Sequence, residues 1–131
     1  LDDLGVVLTI EPNAPDYGAD YLTSYADVIR LVDLVDSPSV RPQIDTGCLE
    51  MVGDDPIAAV VARRPSHVHV SSPNMGRPPG LTDHEEFRDV LLQSGYEGWV
   101  VLEMLPAEHE PLAQAIEAAS WLSTSYRLNH R

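Results

Sequence analysis

Cysteine is nearly absent: the 131 residues carry one, Cys48. An internal disulfide framework is thereby excluded, and a single thiol fits a reducing compartment. Basic residues are scarce too. Eight Lys and Arg stand against twenty-one Asp and Glu, a formal charge of -13, and a groove tracking phosphates would have to overcome that repulsion. No nucleic-acid partner is expected; the acid excess reads as a solubility device, although a cation pocket would draw on part of it. No apolar run approaches the ~20 residues of a membrane span, and no signal-peptide pattern stands at the start. The expectation is therefore a cytoplasmic protein with no membrane partner. Linkers and low-complexity segments are missing as well, so residues 1–131 read as a single domain, and 44% hydrophobic content is enough for a core. The chain opens on Leu1 and enters a strand-like stretch within a few residues, which reads as a fragment of a longer chain entered in its middle.

What is present is a repeating unit. Residues 6 to 11, Val-Val-Leu-Thr-Ile-Glu, are a β-branched run of strand length closed by the turn-forming Pro12-Asn13-Ala14-Pro15. From about Ser24 to Val35, Tyr25, Val28, Ile29 and Val32 recur at helical spacing; Ser24 and Asp27 resemble a capping box, and Pro38 stops the pattern. The unit then repeats three times. A strand over 40–46, weakened by Pro42, precedes a helix opening at Asp55-Pro56 and running to about Arg63. A strand over 67–72 (His-Val-His-Val-Ser-Ser) precedes a helix with a Thr82/Glu85 capping box, a buried stripe of Phe87, Val90 and Leu91, and Gly95 as its stop. A strand over 98–104 precedes a last helix opening at Pro111 and bearing Leu112, Ile116, Ala119 and Leu122.

Four βα units about thirty residues apart argue for a parallel sheet with right-handed crossovers. An open doubly wound sheet normally carries a glycine-rich phosphate loop after its first strand, and none is present. The alternative is a (βα)8 barrel, which takes about 250 residues, so this chain would supply half of one.

Each predicted strand ends on one metal-competent residue: Glu11, Asp45, His69 and Glu103. Side-chain alternation places Val7, Thr9 and Glu11 on one face with Arg41, Gln43 and Asp45, with His67 and His69, and with Trp99, Val101 and Glu103. The other face, Leu8, Ile10, Pro42, Ile44, Val68, Val70, Val100 and Leu102, is uniformly apolar, as a helix-packing face should be. Three carboxylates and an imidazole converging at one rim would repel: at an effective dielectric near 20, each like-charged pair at about 4 Å costs ~4 kcal/mol. Protons or a divalent cation must neutralise them. Oxygen-rich ligands with one histidine favour Mn²⁺ or Mg²⁺, with Co²⁺ also admitted, over a thiolate-bound structural zinc. A lone acid at a strand end is more often a helix cap. On the predicted helix starts, however, Glu11, Asp45 and Glu103 lie too far upstream to cap, and each ends an apolar strand where an unpaired charge is costly.

The segments Ile10-Glu11-Pro12-Asn13, Ile44-Asp45-Thr46-Gly47, His67-Val68-His69-Val70 and Gly95-Tyr96-Glu97-Gly98-Trp99 through Leu102-Glu103, in this order and spacing, resemble strands five to eight of the xylose-isomerase-like barrel superfamily of sugar isomerases and epimerases. The resemblance spans essentially the whole chain and implies the C-terminal half of a TIM barrel. It implies that Glu11, Asp45, His69 and Glu103 are metal ligands, with His69 and not His67 as the imidazole. It further implies that Glu11 and Glu103 act as acid and base on opposite faces of a small sugar or sugar phosphate. One removes the proton α to a carbonyl, the metal holds the enediolate oxygens, and the other returns a proton. Two positions depart from the family pattern. Cys48 stands where many relatives place a substrate-contacting histidine, and Met75 stands at the spacing of their arginine, leaving Arg77 as the nearest substitute. Asn13, Tyr17, Cys48 and Arg77 are the expected substrate contacts.

The same constellation admits a lyase or dehydratase that expels a β-substituent after proton abstraction, and a catalytically silent binding or scaffold subunit. The apurinic-endonuclease branch is disfavoured by the charge and by the absence of additional zinc ligands. A half-barrel leaves both sheet edges open, so either an N-terminal half-barrel or a homo-oligomer is expected to cover them.

Overall fold

The computed structural model describes residues 1–126. Strands β1 (Leu8–Ile10), β2 (Val40–Asp45), β3 (His67–Val70) and β4 (Val100–Leu102) form one parallel sheet in the order β1-β2-β3-β4. Helix α1 (Tyr25–Val35) joins β1 to β2, helices α2 (Thr46–Val52) and α3 (Pro56–Ala62) join β2 to β3, α4 (His84–Gln93) joins β3 to β4, and α5 (Pro111–Ser125) follows β4. A doubly wound sheet reverses its strand order at a switch point. Here the order never reverses, as in an arc of a (βα)8 barrel.

The apolar face behaves as its alternation predicts in the middle of the sheet. Ile44, Val68 and Val70 are fully buried and pack with Leu49, Val60, Phe87 and Leu91 from the helices. Burying each such side chain contributes about 1.5–3 kcal/mol. The edges differ. On edge strand β1, Leu8 of the apolar face is 48% exposed, and just before edge strand β4, Trp99 of the opposite face is 77% exposed. The regular strands there shorten to three residues apiece, inside the predicted 6–11 and 98–104.

Local chemistry explains the element starts, with three corrections. Ser24 caps α1 as expected: its Oγ accepts from the Asp27 N–H at 3.2 Å and donates to Asp27 Oδ2 at 2.8 Å. Asp55 accepts from the Ile57 N–H at 2.9 Å with Pro56 opening α3. The first correction is α2, an extra helix immediately after β2, whose cap is Asp45 itself. The second is α4, which is capped by Asp83, accepting from the N–H groups of Glu85 and Glu86. Thr82 instead donates its N–H and its hydroxyl to Glu50 Oε1 on α2, at 2.7 and 2.5 Å. The third is Pro42, which does not weaken β2: it has no N–H to leave unpaired, and its carbonyl accepts from the Ser66 N–H at 2.8 Å.

His84 ties the last helices together. Its Nε2 lies 2.5 Å from the Pro79 carbonyl oxygen, which only accepts, so Nε2 carries the proton and Nδ1 accepts from the Tyr126 hydroxyl. Its ring also stands edge-on to Trp121 of α5 at 5.0 Å.

Candidate metal centre at the strand ends

Glu11 lies one residue past β1, Asp45 ends β2, His69 lies within β3, and Glu103 follows β4. Parallel register does the gathering: Asp45 pairs with His69 and His69 with Val101, two residues before Glu103 on the same face. One ligand atom from each of the four residues lies within 4.8 Å of all the others. Asp45 is 1% exposed, while the Glu11, His69 and Glu103 side chains retain 20, 22 and 34% of their exposure. The cluster is thus seated at its base and open toward the rim.

His69 Nδ1 stands 3.1 Å from Glu11 Oε2 and 2.7 Å from Glu103 Oε2. The hydrogen bond to Glu11, aided by both carboxylate charges and opposed by burial, pushes the imidazole up to about 9. Burial raises the Asp45 carboxyl above its ordinary value, against the Cys48 N–H and the Ser71 hydroxyl that hold it down; the Glu103 charge raises it further. Asp45 Oδ1 accepts from both donors at 2.7 Å. It therefore caps α2 as well as facing the cluster, contrary to the sequence expectation that it lies too far from any helix. Three carboxylates and an imidazole, with their donor atoms this close, make a set that fits a hard or borderline dication, and Nδ1 is the imidazole atom turned toward the other donors.

The rim is stitched by residues that sequence reasoning did not single out. Thr46 Oγ1 donates to the Ser71 carbonyl at 2.8 Å and accepts from the Ser71 N–H at 3.0 Å. The Gly47 N–H donates to Ser71 Oγ at 3.1 Å. A Cβ at Gly47 would fall on Ser71 Oγ and the Ser72 carbonyl, so only glycine allows α2 to start this close to the end of β3. Gln43, 6% exposed, donates from Nε2 to Glu11 Oε2, and the same nitrogen is 3.3 Å from His69 Nδ1. Thr9 Oγ1 donates to Gln43 Oε1 at 2.6 Å. The signal for this pair was their shared face with the ligands.

The expected substrate contacts divide. Cys48 is buried beside the cluster, and burial, with the charges of Asp45 and Glu11, pushes its thiol up to about 12. Tyr17 is exposed, and burial raises its hydroxyl, with smaller contributions from Cys48 and Asp45. Asn13 is exposed, and its backbone N–H donates to the Leu22 carbonyl at 3.1 Å. Arg77 is engaged by Glu117 of α5 at 2.9 Å rather than by any of the four clustered residues. His67 packs edge-on to His69 at 5.0 Å and is absent from the four-residue donor set. A cleft of about 720 Å³ lies at the opposite ends of the strands, lined by Arg41, Arg63, Arg64 and Glu97 among others, and includes none of the four converging residues. The four converging residues stand instead at the C-terminal rim, the end of the strands where barrel enzymes assemble their active sites.

The sequence pattern of the family described as xylose isomerase-like TIM barrel matches residues 1–125. The chain belongs to this family. It is 32% identical over 135 residues to the protein named "Putative hydroxypyruvate isomerase" of Streptomyces coelicolor, covering 96% of this chain and 47% of that one. It is 22% identical over 130 residues to an inosose dehydratase of Lacticaseibacillus casei, covering 79% of this chain and 44% of that one. The chain thus spans about half the length of the curated relatives it matches. The fold superimposes on a 3-keto-D-glucoside 4-epimerase from E. coli with a TM-score of 0.83, 24% identity, and coverage of 94% of this chain and 48% of that one. A D-psicose 3-epimerase gives a TM-score of 0.82 at 20% identity, with coverage of 95% and 51%. These likenesses make the sheet a half-barrel of the xylose isomerase-like fold. Among the described residues, no helix is long and apolar enough to cross a membrane.

Proposed function

We propose that this chain is the C-terminal, metal-holding half of a sugar isomerase or epimerase barrel. Glu11, Asp45, His69 and Glu103 would hold one Mn²⁺ or Mg²⁺, with Co²⁺ an acceptable substitute. The observation that carries the reading is the convergence of one donor atom from each strand end within 4.8 Å. The 32% identity to a protein named for hydroxypyruvate isomerisation favours a small hydroxy-carbonyl substrate. When bound, the dication supplies Lewis-acid polarisation of the substrate carbonyl and balances the negative charge that develops on its oxygen.

The chain's own residues supply the proton transfers. Glu11 and Glu103 come from the two outermost strands and approach the cluster from opposite edges of the sheet. One takes the proton α to the carbonyl, and the other returns a proton to the enediolate from the far side. Positioned acid/base groups of this kind contribute about 10²- to 10⁴-fold in rate. Asp45, held by the Cys48 N–H and the Ser71 hydroxyl, orients and does not transfer. Cys48 and Tyr17 line the substrate side, Asn13 contacts the substrate from the first loop, and Arg77 joins once it leaves Glu117.

Turnover of a panel of small ketoses and hydroxypyruvate in D₂O tests the reading. Incorporation of solvent deuterium into recovered substrate, lost by about 10²- to 10⁴-fold in Glu103→Gln, is expected. Activity that survives this substitution intact would point to a silent binding subunit. A dehydratase is the second reading, favoured by the two inosose dehydratases among the relatives; it predicts net release of water in the same assay.

The open edges belong to the proposal. Among the described residues, β1 pairs only with β2, and β4 only with β3. Exposed apolar groups flank both edges: Val6, Val7 and Leu8 on one side, and Trp99, Leu112 and Ile116 on the other. Four further βα units of a longer cytoplasmic chain would cover them and close the barrel.

A further inference from the structure

The structure assigns Gln43, with Thr9 behind it, as the positioning residue that aims Glu11 in the cluster. This rests on the metal reading above and deepens it. Glu11 follows an edge strand of three residues, so the contacts that fix its carboxylate come from the neighbouring strands, from Gln43 on β2 and His69 on β3. Gln43 is buried on the adjacent, fully flanked strand. A carboxylate only accepts hydrogen bonds, so the amide end facing Glu11 must be the nitrogen, and Nε2 donates to Glu11 Oε2. That leaves Oε1 as an acceptor, and the Thr9 hydroxyl fills it at 2.6 Å.

The amide therefore cannot turn over without breaking both bonds. Its nitrogen contacts Glu11 Oε2 and lies 3.3 Å from His69 Nδ1, atoms that are themselves 3.1 Å apart, so one amide end touches two of the four donors. Thr9 and Glu11 sit two residues apart on one strand, so the run Thr9, Gln43, Glu11 crosses to β2 and returns. It braces the side chain of an edge strand against a central one. An apolar residue at 43 would leave Glu11 free to rotate off the ion while the outer core, on the opposite face, stays packed.

Outer partners of this kind are worth about 10- to 100-fold in metal affinity. Calorimetric titration of Mn²⁺ into the purified protein, with thermal melts of the ion-free samples alongside, provides the test. Gln43→Leu should weaken Mn²⁺ binding by about 10- to 100-fold with little change in the melt. Thr9→Val should weaken it by a smaller factor, and Thr9→Ser, which keeps the hydroxyl, should bind like wild type. If Gln43→Leu fails to fold, the Val and Ser pair at position 9 still decides the question. Wild-type affinity in both Gln43→Leu and Thr9→Val overturns the positioning role alone. A wild-type protein that takes up no Mn²⁺ overturns the metal reading, and this assignment with it.

Discussion

Asp45 caps α2 and faces the proposed cation site with one carboxylate, and substitution separates the two tasks. Asn caps a helix as well as Asp does, keeping an oxygen for the Cys48 N–H and the Ser71 hydroxyl. Asp45→Asn should therefore lose metal affinity, while the ion-free protein melts no lower than wild type, since burial already disfavours the charged form. Asp45→Ala should also cost about 0.5–2 kcal/mol in stability through the lost cap. Melts of ion-free samples paired with metal titrations distinguish these outcomes. Gly47 gives a sharper expectation. Its added Cβ would meet the fixed backbone of Ser72 as well as the Ser71 hydroxyl, so Gly47→Ala should destabilise by about 1–3 kcal/mol, measurable as a lower denaturation midpoint. The four candidate ligands were legible from the sequence because strand alternation alone decides which side chains share a face. The roles of Gln43 and Thr9 were not, because a contact between β1 and β2 depends on side-chain reach across a register that alternation does not specify. The dual role of Asp45 was hidden for a related reason: its helix begins on the very next residue, Thr46, inside what reads as the end of a strand.

Between elements, the clearest device is the bond of His84 to the loop before α4 and to the end of α5. Burial lowers the affinity of His84 for protons, against the pull of the Pro79 carbonyl and of the Glu50 and Asp83 charges. An unfolded histidine titrates near 6.5, so between that value and the lower folded one the unfolded chain binds more protons. The stability contributed by neutral His84 is then fully present above pH ~6.5 and declines as the pH falls below it. His84→Gln should therefore show a shallower loss of melting temperature than wild type between pH 7.5 and 5.5, read as the difference between the two profiles. Tyr126→Phe should cost about 1 kcal/mol at neutral pH for one lost hydrogen bond. At this scale the four strands and the helices α1, α3, α4 and α5 were readable, since buried β-branched runs and helical stripes seldom resemble one another. Two features were not. α2, only seven residues long, opens on Thr-Gly, a poor helical signature rescued by its cap and by Leu49 in the core. At α4, Thr82 and Asp83 compete for one capping position, and Glu50 settles it by engaging Thr82.

Across the described residues the sheet is an arc with two unpaired edges, β1 and β4. By itself it should associate in solution, and light scattering giving a stable monomer with a cooperative melt would count against the half-barrel proposal. Charge argues against a second copy as the natural complement. Two chains closing into one ring would bring two acidic clusters to a single rim and a formal charge of -13 from each chain, whereas a different half could present neutral or basic groups there. Co-expression with a complementary four-unit half should give a soluble 1:1 complex, checked by size exclusion. The strand order carries a last consequence. Asp45 and His69 ride on the two inner strands, while Glu11 and Glu103 extend from the outer two. In the proposed closed ring, the seams would therefore run directly beneath the pair proposed to shuttle protons. A loosened joint would dull the chemistry well before it unfolded the protein, and an evolving partner half could retune the reaction without touching a single ligand.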